Sequence, residues 1–184
     1  MTKIHFFALL HFKTAIYFAE YIVNPVDTRP IMRYNLIVLN IIERNKIVMN
    51  YQVRYYTRSG NTEKLATAIA DAIGCCAKSI DTPLEDKVDV LFLGCSYYAF
   101  DMDEEVKKFI AENNEKIGKI VCFGTSAMMK SMKKPMSKVT EKYGVSLSDE
   151  EFHCRGRFGI FNKNRPNDDD LINVAEFAKN IIKG

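Results

Sequence analysis

The sequence predicts an α/β domain, a three-layer, doubly wound sheet of five parallel strands, with an extra segment ahead of it. The main observation is a repeated alternation of short apolar runs with longer amphipathic stretches. The short runs are apolar on both faces, which is typical of parallel strands buried between two layers of helices. Crossovers between such strands are right-handed, so the helices are expected to cover both faces of the sheet. The chain has 184 residues, enough to form a core without disulfides.

The alternation begins at residue 51. Residues 51–56 form an apolar run and residues 57–62 a polar loop, after which apolar residues recur at helical spacing from Leu65 to Ile73. Gly74 is expected to end this helix. The remaining elements are predicted, in chain order, as strands at 77–80 and 88–93, a helix that Asp103 caps, a strand at 119–123, a helix at 129–143, a strand at 145–154 and a helix at 168–183.

Charge divides the chain at residue 48. Residues 1–48 contain six basic and three acidic side chains, whereas residues 49–184 contain 20 of each. A charge-balanced domain excludes nucleic-acid binding as a property of its whole surface.

The N-terminal 48 residues carry no recognisable motif. Residues 4–23 are long enough to span a bilayer but include Lys13, and a central Lys costs about 2.5–3.5 kcal/mol on insertion, so no membrane span is expected. We hypothesise that residues 1–48 are not part of the fold and that Met49, just before the first strand, is the natural start. The alternative is an arm that binds a membrane surface or a partner.

Five cysteines are present, without C-x-x-C pairs or the Cys/His spacing of a zinc site, so no metal ligands are predicted. The odd number fits the reducing cytosol, and we expect a cytoplasmic protein. His153 beside Cys154 suggests a base and a nucleophile, but neighbours on a strand point to opposite faces. No catalytic residue is therefore predicted.

The loop between the first strand and its helix is the strongest local signal. Its six residues, here called the phosphate loop, are Thr57, Arg58, Ser59, Gly60, Asn61 and Thr62. Hydroxyls, a glycine and the N–H groups of a helix start together favour binding of a phosphate dianion. The alternative is an ordinary turn in which Ser59, Asn61 or Thr62 caps the helix. Both G-x-x-x-x-G-K-(S/T) and G-x-G-x-x-G are absent, which argues against nucleoside triphosphates and dinucleotides.

With this loop the sequence resembles the flavodoxin family, whose first loop has the pattern (S/T)-x-(S/T)-G-N-T and binds the phosphate of FMN. The resemblance extends from about residue 49 to residue 184. It implies the strand order 2-1-3-4-5 and FMN at the carboxyl ends of the strands.

Two further loops are similar to those that hold the flavin ring in this family. The ring loop comprises Ser96, Tyr97, Tyr98, Ala99 and Phe100, and the resemblance places Tyr98 against the isoalloxazine. Alternatively, these aromatic residues only cover the sheet edge. The third loop comprises Gly124, Thr125, Ser126, Ala127 and Met128, whose backbone groups would meet the pyrimidine end of the flavin.

Two features depart from the family pattern. Ala99 stands where many members have Gly, and Ala disfavours positive φ. Lys130, Lys133, Lys134 and Lys138 follow the third loop without any acid, whereas flavodoxins are usually acidic around the ring. These lysines either face the cofactor or form an exposed helix face.

The resemblance implies an FMN-binding electron carrier that shuttles electrons between a reductase and acceptor proteins. An FMN-dependent NAD(P)H or quinone oxidoreductase on the same fold is the alternative, and a flavin-free interaction domain is a remote one.

Overall fold

The computed structural model describes residues 49–98, 101–127 and 131–183, apart from the side chains of Tyr97 and Tyr98. These residues belong to one compact unit, Met49–Gly184. Residues 1–48, with the apolar stretch 4–23, lie outside the described part. The elements are β1 (Tyr51–Tyr55), α1 (Asn61–Ile73), β2 (Ala77–Ser79), β3 (Val88–Tyr98), β4 (Asp101–Met102), α2 (Glu104–Asn113), a 3-10 turn (Asn114–Lys116), β5 (Ile117–Ser126), α3 (Lys133–Tyr143), β6 (Ser146–Arg155) and α4 (Asp168–Lys183).

The sheet confirms the predicted topology. Its order is β2-β1-β3-β5-β6 and all four pairings are parallel, so the five predicted strands lie in the order 2-1-3-4-5. One strand was not predicted, because β4 has only two residues and therefore no periodicity. It pairs antiparallel with the end of β3, Tyr97 opposite Met102 and Tyr98 opposite Asp101.

Helices cover both faces, which gives the expected three layers. On one face, α2 and α3 pack through Val106, Ile110 and Met136 against strand residues such as Leu93 and Ile120. On the other, α1 and α4 contribute a second buried cluster. Its fully buried members include Val53, Leu65, Ile69, Phe92, Val121, Phe123, Val174 and Ala178.

The element ends differ from the predictions mainly where strands approach the loops. β3 runs to Tyr98 and β5 from Ile117 to Ser126, beyond their apolar cores, because the polar ends continue to pair in register, Cys95 with Gly124 and Ser96 with Thr125. Helix α3 begins at Lys133, whereas the prediction began at residue 129, and residues 128–130 lie outside the described part. Helix α4 spans the predicted residues. None of the described helices has the length and apolarity needed to cross a bilayer.

Candidate functional site

The phosphate loop lies at the carboxyl edge of the sheet, between the end of β1 and the start of α1. Tyr56 N–H donates to Gly94 O of β3 at 2.9 Å, which holds the start of the loop beside the neighbouring strand. Gly60 N–H donates to the Thr57 hydroxyl at 3.0 Å and closes the loop upon itself. Hydrogen bonds within the loop and to β3 therefore give the loop a defined shape.

Helix α1 starts without a side-chain cap. The N-cap residue is Gly60 in the left-handed region, φ 77°, where glycine is favoured. Glycine offers no side-chain acceptor, so the turn capped by Ser59, Asn61 or Thr62 that the sequence allowed is not formed at this position. A Cβ on Gly60 would meet no atom within 4 Å, so the space beside the helix start is open. First-turn N–H groups that no side chain caps suit an anion.

Exposure divides the phosphate loop into two halves. Arg58 and Ser59 are exposed, whereas Asn61 and Thr62 are buried. The Asn61 amide donates to Arg157 O at 3.0 Å, and the Thr62 hydroxyl shares a 2.7 Å hydrogen bond with the Ser96 hydroxyl. The second half therefore anchors the loop to β3 and to the segment after β6, and the first half faces outward.

Asp103 has a different role from the predicted one. It occupies the N-cap position of α2, but its side chain makes no capping hydrogen bond. Its Oδ1 instead accepts from Arg58 Nη2 in an ion pair that links the phosphate loop to α2. Oδ2 of the same buried carboxylate has no hydrogen-bond partner within the described structure.

The ring loop follows β3, and the structure describes part of it. Ser96 is buried against Thr62, and the backbone of Tyr97 and Tyr98 pairs with β4. The side chains of both tyrosines lie outside the described part, as do Ala99 and Phe100. The stacking of Tyr98 on a flavin therefore stays a prediction.

Alternate residues of β6 hold the third loop and the segment that follows it. Within the loop, His153 Nε2 and the Ser126 hydroxyl are 2.9 Å apart, and Arg155 Nη1 donates to Ala127 O at 2.8 Å. Beyond it, Met132 N–H donates to the Glu151 carboxylate at 2.8 Å. Met128 lies outside the described part.

His153 and Cys154 do point to opposite faces, as expected for neighbours on a strand. His153 faces the third loop, where burial, followed by the charge of Arg155, lowers its pKa. Cys154 packs in the core on the other face, and burial raises the pKa of its thiol to about 12. Because that thiol stays protonated near neutrality, it lacks the thiolate that nucleophilic attack needs.

Of the four lysines that follow the third loop, the structure describes Lys133, Lys134 and Lys138. Lys134 and Lys138 are exposed on α3, where they line a groove with Asp101 and Glu104 of the β4–α2 region. Lys133 pairs with Asp149 at 3.7 Å. Of the two alternatives, an exposed helix face describes Lys134 and Lys138. Across the described ranges, no three His, Cys, Asp or Glu side chains are grouped so that they could bind a metal ion.

The comparisons with known proteins define the class of this chain. The flavodoxin-domain family model matches residues 52–160, so the chain belongs to the flavodoxin family, as the phosphate loop indicated. Within curated proteins, it is 33% identical over 138 residues to the uncharacterized protein MJ0298 of Methanocaldococcus jannaschii, covering 67% of this chain and 91% of that protein.

Solved structures show the same fold. A flavodoxin from the domain Archaea is 21% identical with a TM-score of 0.58, and the match covers 73% of this chain and 97% of that one. The oxidised flavodoxin 1 of Bacillus cereus is 19% identical with a TM-score of 0.55, again covering 73% and 97%.

Several residues that shape this site were not predicted from the sequence. Asp103 was expected to cap a helix, and Glu151, Arg155 and Arg157 had no assigned role at the loops. No local pattern identifies them, because each acts on a residue 19 to 96 positions away. The alternation of β6 alone indicates that Glu151, His153 and Arg155 share a face.

Proposed function

We propose that the protein binds FMN and transfers electrons between a reductase and acceptor proteins. The observation that carries this proposal is the phosphate loop. It joins an exposed hydroxyl at Ser59 to an α1 start whose N-cap is Gly60 and whose first turn no side chain caps. The family membership of the chain supports the same cofactor.

The proposed roles follow from burial. Ser59 and the first-turn N–H groups of α1 would bind the phosphate, Gly60 would let its backbone approach the phosphate closely, and Thr57 closes the loop by accepting from Gly60 N–H. The Thr62–Ser96 hydrogen bond would keep the phosphate loop at a fixed position relative to the ring loop. Bound FMN would supply the electron-transfer chemistry, and the protein would position it and exclude water.

The remaining predicted residues would meet the ring. Tyr97, Tyr98, Ala99 and Phe100 would lie on one side of the isoalloxazine, and the third loop, residues 124–128, would meet its pyrimidine end. The side chains of Thr125 and Ser126 are buried, so backbone groups are the donors and acceptors that this loop offers. The hydrogen bond from Arg155 to Ala127 O would fix one of those backbone groups, and the one between His153 and the Ser126 hydroxyl would hold the loop against β6.

A cytoplasmic location fits this function and remains part of the proposal. All five cysteines lie in the described part and are free. Three of them, Cys95, Cys122 and Cys154, are buried as small apolar groups. Free thiols are typical of a reducing compartment.

FMN titration of the purified protein, followed by flavin fluorescence, tests the cofactor. Ser59→Ala is expected to weaken binding about tenfold, because it removes one hydrogen bond to a charged group, which contributes about 1.5 kcal/mol. Thr67→Ala is the matched control: it removes an exposed hydroxyl from the helix that follows the phosphate loop, one that donates to Glu63 O at 3.1 Å. Equal affinity of Ser59→Ala and the control would place the phosphate elsewhere, and no binding by the wild type would reject the proposal.

Steady-state turnover with NADPH and a quinone then separates a carrier from an enzyme. The carrier requires that NADPH alone does not turn over with a quinone and that turnover appears when a flavin reductase is added. Steady NADPH oxidation by the protein alone would favour the oxidoreductase.

A further inference from the structure

An exposed apolar turn follows β6 and is not used by the proposed cofactor site. Its side chains, here called the apolar tip, are Phe158, Ile160 and Phe161, which are 56%, 75% and 64% exposed. They account for three of the five large hydrophobic residues that are exposed in the described part of the chain. Large apolar side chains grouped on a surface mark a binding site more often than scattered ones do.

Hydrogen bonds stabilise the turn that carries the apolar tip. Phe158 N–H donates to Phe161 O at 3.0 Å and Phe161 N–H returns a bond to Phe158 O at 2.9 Å. Gly159 between them takes φ 56°, a left-handed conformation that glycine tolerates. The Asn162 amide donates to Gly156 O at 3.2 Å and closes the base of the turn. The three side chains are therefore held outward by a hydrogen-bonded scaffold.

The base of the turn touches the proposed cofactor site. Arg157 O accepts the amide of Asn61 in the phosphate loop at 3.0 Å. Gly156 lies so near the third loop that a Cβ there would stand 2.8 Å from Cβ of Thr125. A molecule seated on the apolar tip would consequently adjoin both loops.

The segment that carries the apolar tip has charges of one sign. Residues 152–167 contain Arg155, Arg157, Lys163 and Arg165 and no acidic residue, although the domain as a whole is balanced. Arg157 and Lys163 are exposed, whereas Arg165 is paired with the buried Asp170. The surface is thus apolar at its centre with exposed cations beside it, the complement of a partner that presents acidic residues.

The size of the patch indicates the kind of partner. Two Phe and one Ile at these exposures offer about 300–400 Å² of mostly apolar surface. That area is a large part of one side of a transient electron-transfer interface, which buries less than about 1,200 Å² in total, and far too little for an obligate dimer of 2,000 Å² or more.

We propose that the apolar tip with Arg157 and Lys163 is the docking surface for a small acidic redox protein. This inference rests on the proposed electron-transfer function, since it names the chemistry of the partner. Docking there places the partner beside the phosphate and third loops. Because the contact is small and electrostatic, it is expected to be weak and to weaken further with salt.

Calorimetric titration of the full chain with a plant-type ferredoxin, a small acidic redox protein, tests the surface directly. Wild type is expected to bind at low ionic strength and to lose at least tenfold in affinity at 0.5 M salt. Phe158→Ser with Phe161→Ser is expected to weaken binding at least tenfold at low salt, as is Arg157→Gln with Lys163→Gln.

Matched controls lie on α4. Ile172→Ser changes an apolar residue that is 58% exposed, similar to Phe158, and Lys179→Gln removes an exposed cation. Both are expected to bind ferredoxin within twofold of wild type. Equal unfolding temperatures would show that the tip variants are folded.

Several outcomes would overturn the inference. Ferredoxin would fail to bind, or the tip and control variants would lose the same affinity for it. The basic protein cytochrome c would bind as tightly as ferredoxin. The tip would bind phosphatidylserine vesicles in place of ferredoxin, or it would form a dimer in sedimentation. The titration does not require bound flavin. Failure of FMN binding would thus reject the proposed function while the docking result stays readable, and intact FMN binding without docking would reject only this inference.

Discussion

Replacing Gly124 by alanine is expected to destabilise the domain strongly although it adds only one carbon. Gly124 lies in β5 opposite Cys95 of β3, within the parallel pair at the centre of the sheet. A Cβ at this position would stand 1.9 Å from the backbone oxygen of Cys95 and 2.6 Å from Met132 Cε. The methionine end can move aside, but the carbonyl belongs to the neighbouring strand.

The magnitude follows from that distance. Carbon and carbonyl oxygen normally approach to about 3.3 Å, so the two atoms must separate by about 1.4 Å. Strands are only about 4.8 Å apart and are held by their ladder, so the movement would weaken hydrogen bonds worth about 0.5–1.5 kcal/mol each. With an overpacking cost of about 1–3 kcal/mol, we expect a loss of about 3 kcal/mol in the free energy of unfolding and a fall of about 10 °C in Tm.

Thermal unfolding followed by circular dichroism measures this effect in the protein without added cofactor. Gly144→Ala is the matched control, because Gly144 ends α3 at φ 69° with no atom within 4 Å of a Cβ. In that variant the left-handed conformation alone lowers the free energy of unfolding, by about 1 kcal/mol, which corresponds to a fall of about 3–4 °C in Tm. The reasoning is refuted if Gly124→Ala unfolds within 2 °C of wild type or no lower than Gly144→Ala.

Three further predictions concern His153, the Thr62–Ser96 hydrogen bond and the free cysteines. Burial lowers the pKa of His153, so it contributes stability above its unfolded pKa, near 6.5, that is lost as pH falls through the lower folded-state value. In urea unfolding, His153→Asn should lose less stability than wild type between pH 7 and 5, and equal losses would contradict this. Thr62→Val and Ser96→Ala should each cost about 1–2 kcal/mol because each leaves a buried hydroxyl unpaired, and the double variant should cost about 1 kcal/mol less than their sum. Strict additivity would show that this hydrogen bond contributes nothing. Mass spectrometry after brief iodoacetamide treatment at pH 8 should find the exposed Cys76 labelled and the buried Cys154 unlabelled, and equal labelling would show that burial does not protect the thiol.

Most of the fold could be predicted from the sequence because its signals are local. The apolar runs and the helical spacing from Leu65 to Ile73 identify the elements of the parallel sheet without knowledge of its packing. The short β4 was not predicted, because two residues show no periodicity. The polar ends of β3 and β5 were not predicted either, because only their pairing with the neighbouring strand makes them part of the sheet.

The site was predictable to a smaller extent. The phosphate loop is contiguous, so its six residues stand out as one motif, and they lie within residues 52–160, which the family model matches. The burial of Asn61 and Thr62 could not be predicted, because it depends on hydrogen bonds to Arg157 O and to the Ser96 hydroxyl, which are distant in the sequence.

By itself, the sequence determined the α/β class, the family and the position of the phosphate loop, because each depends on a pattern of residues that are close together in the sequence. Only the tertiary structure showed that Asp103 pairs with Arg58, where the sequence predicted a helix cap, and that His153 lies beside Ser126. It alone showed that the apolar tip is exposed beside that loop. Contacts between distant residues depend on strand register and on which face each side chain occupies, and these are fixed only when the sheet and its helices pack together.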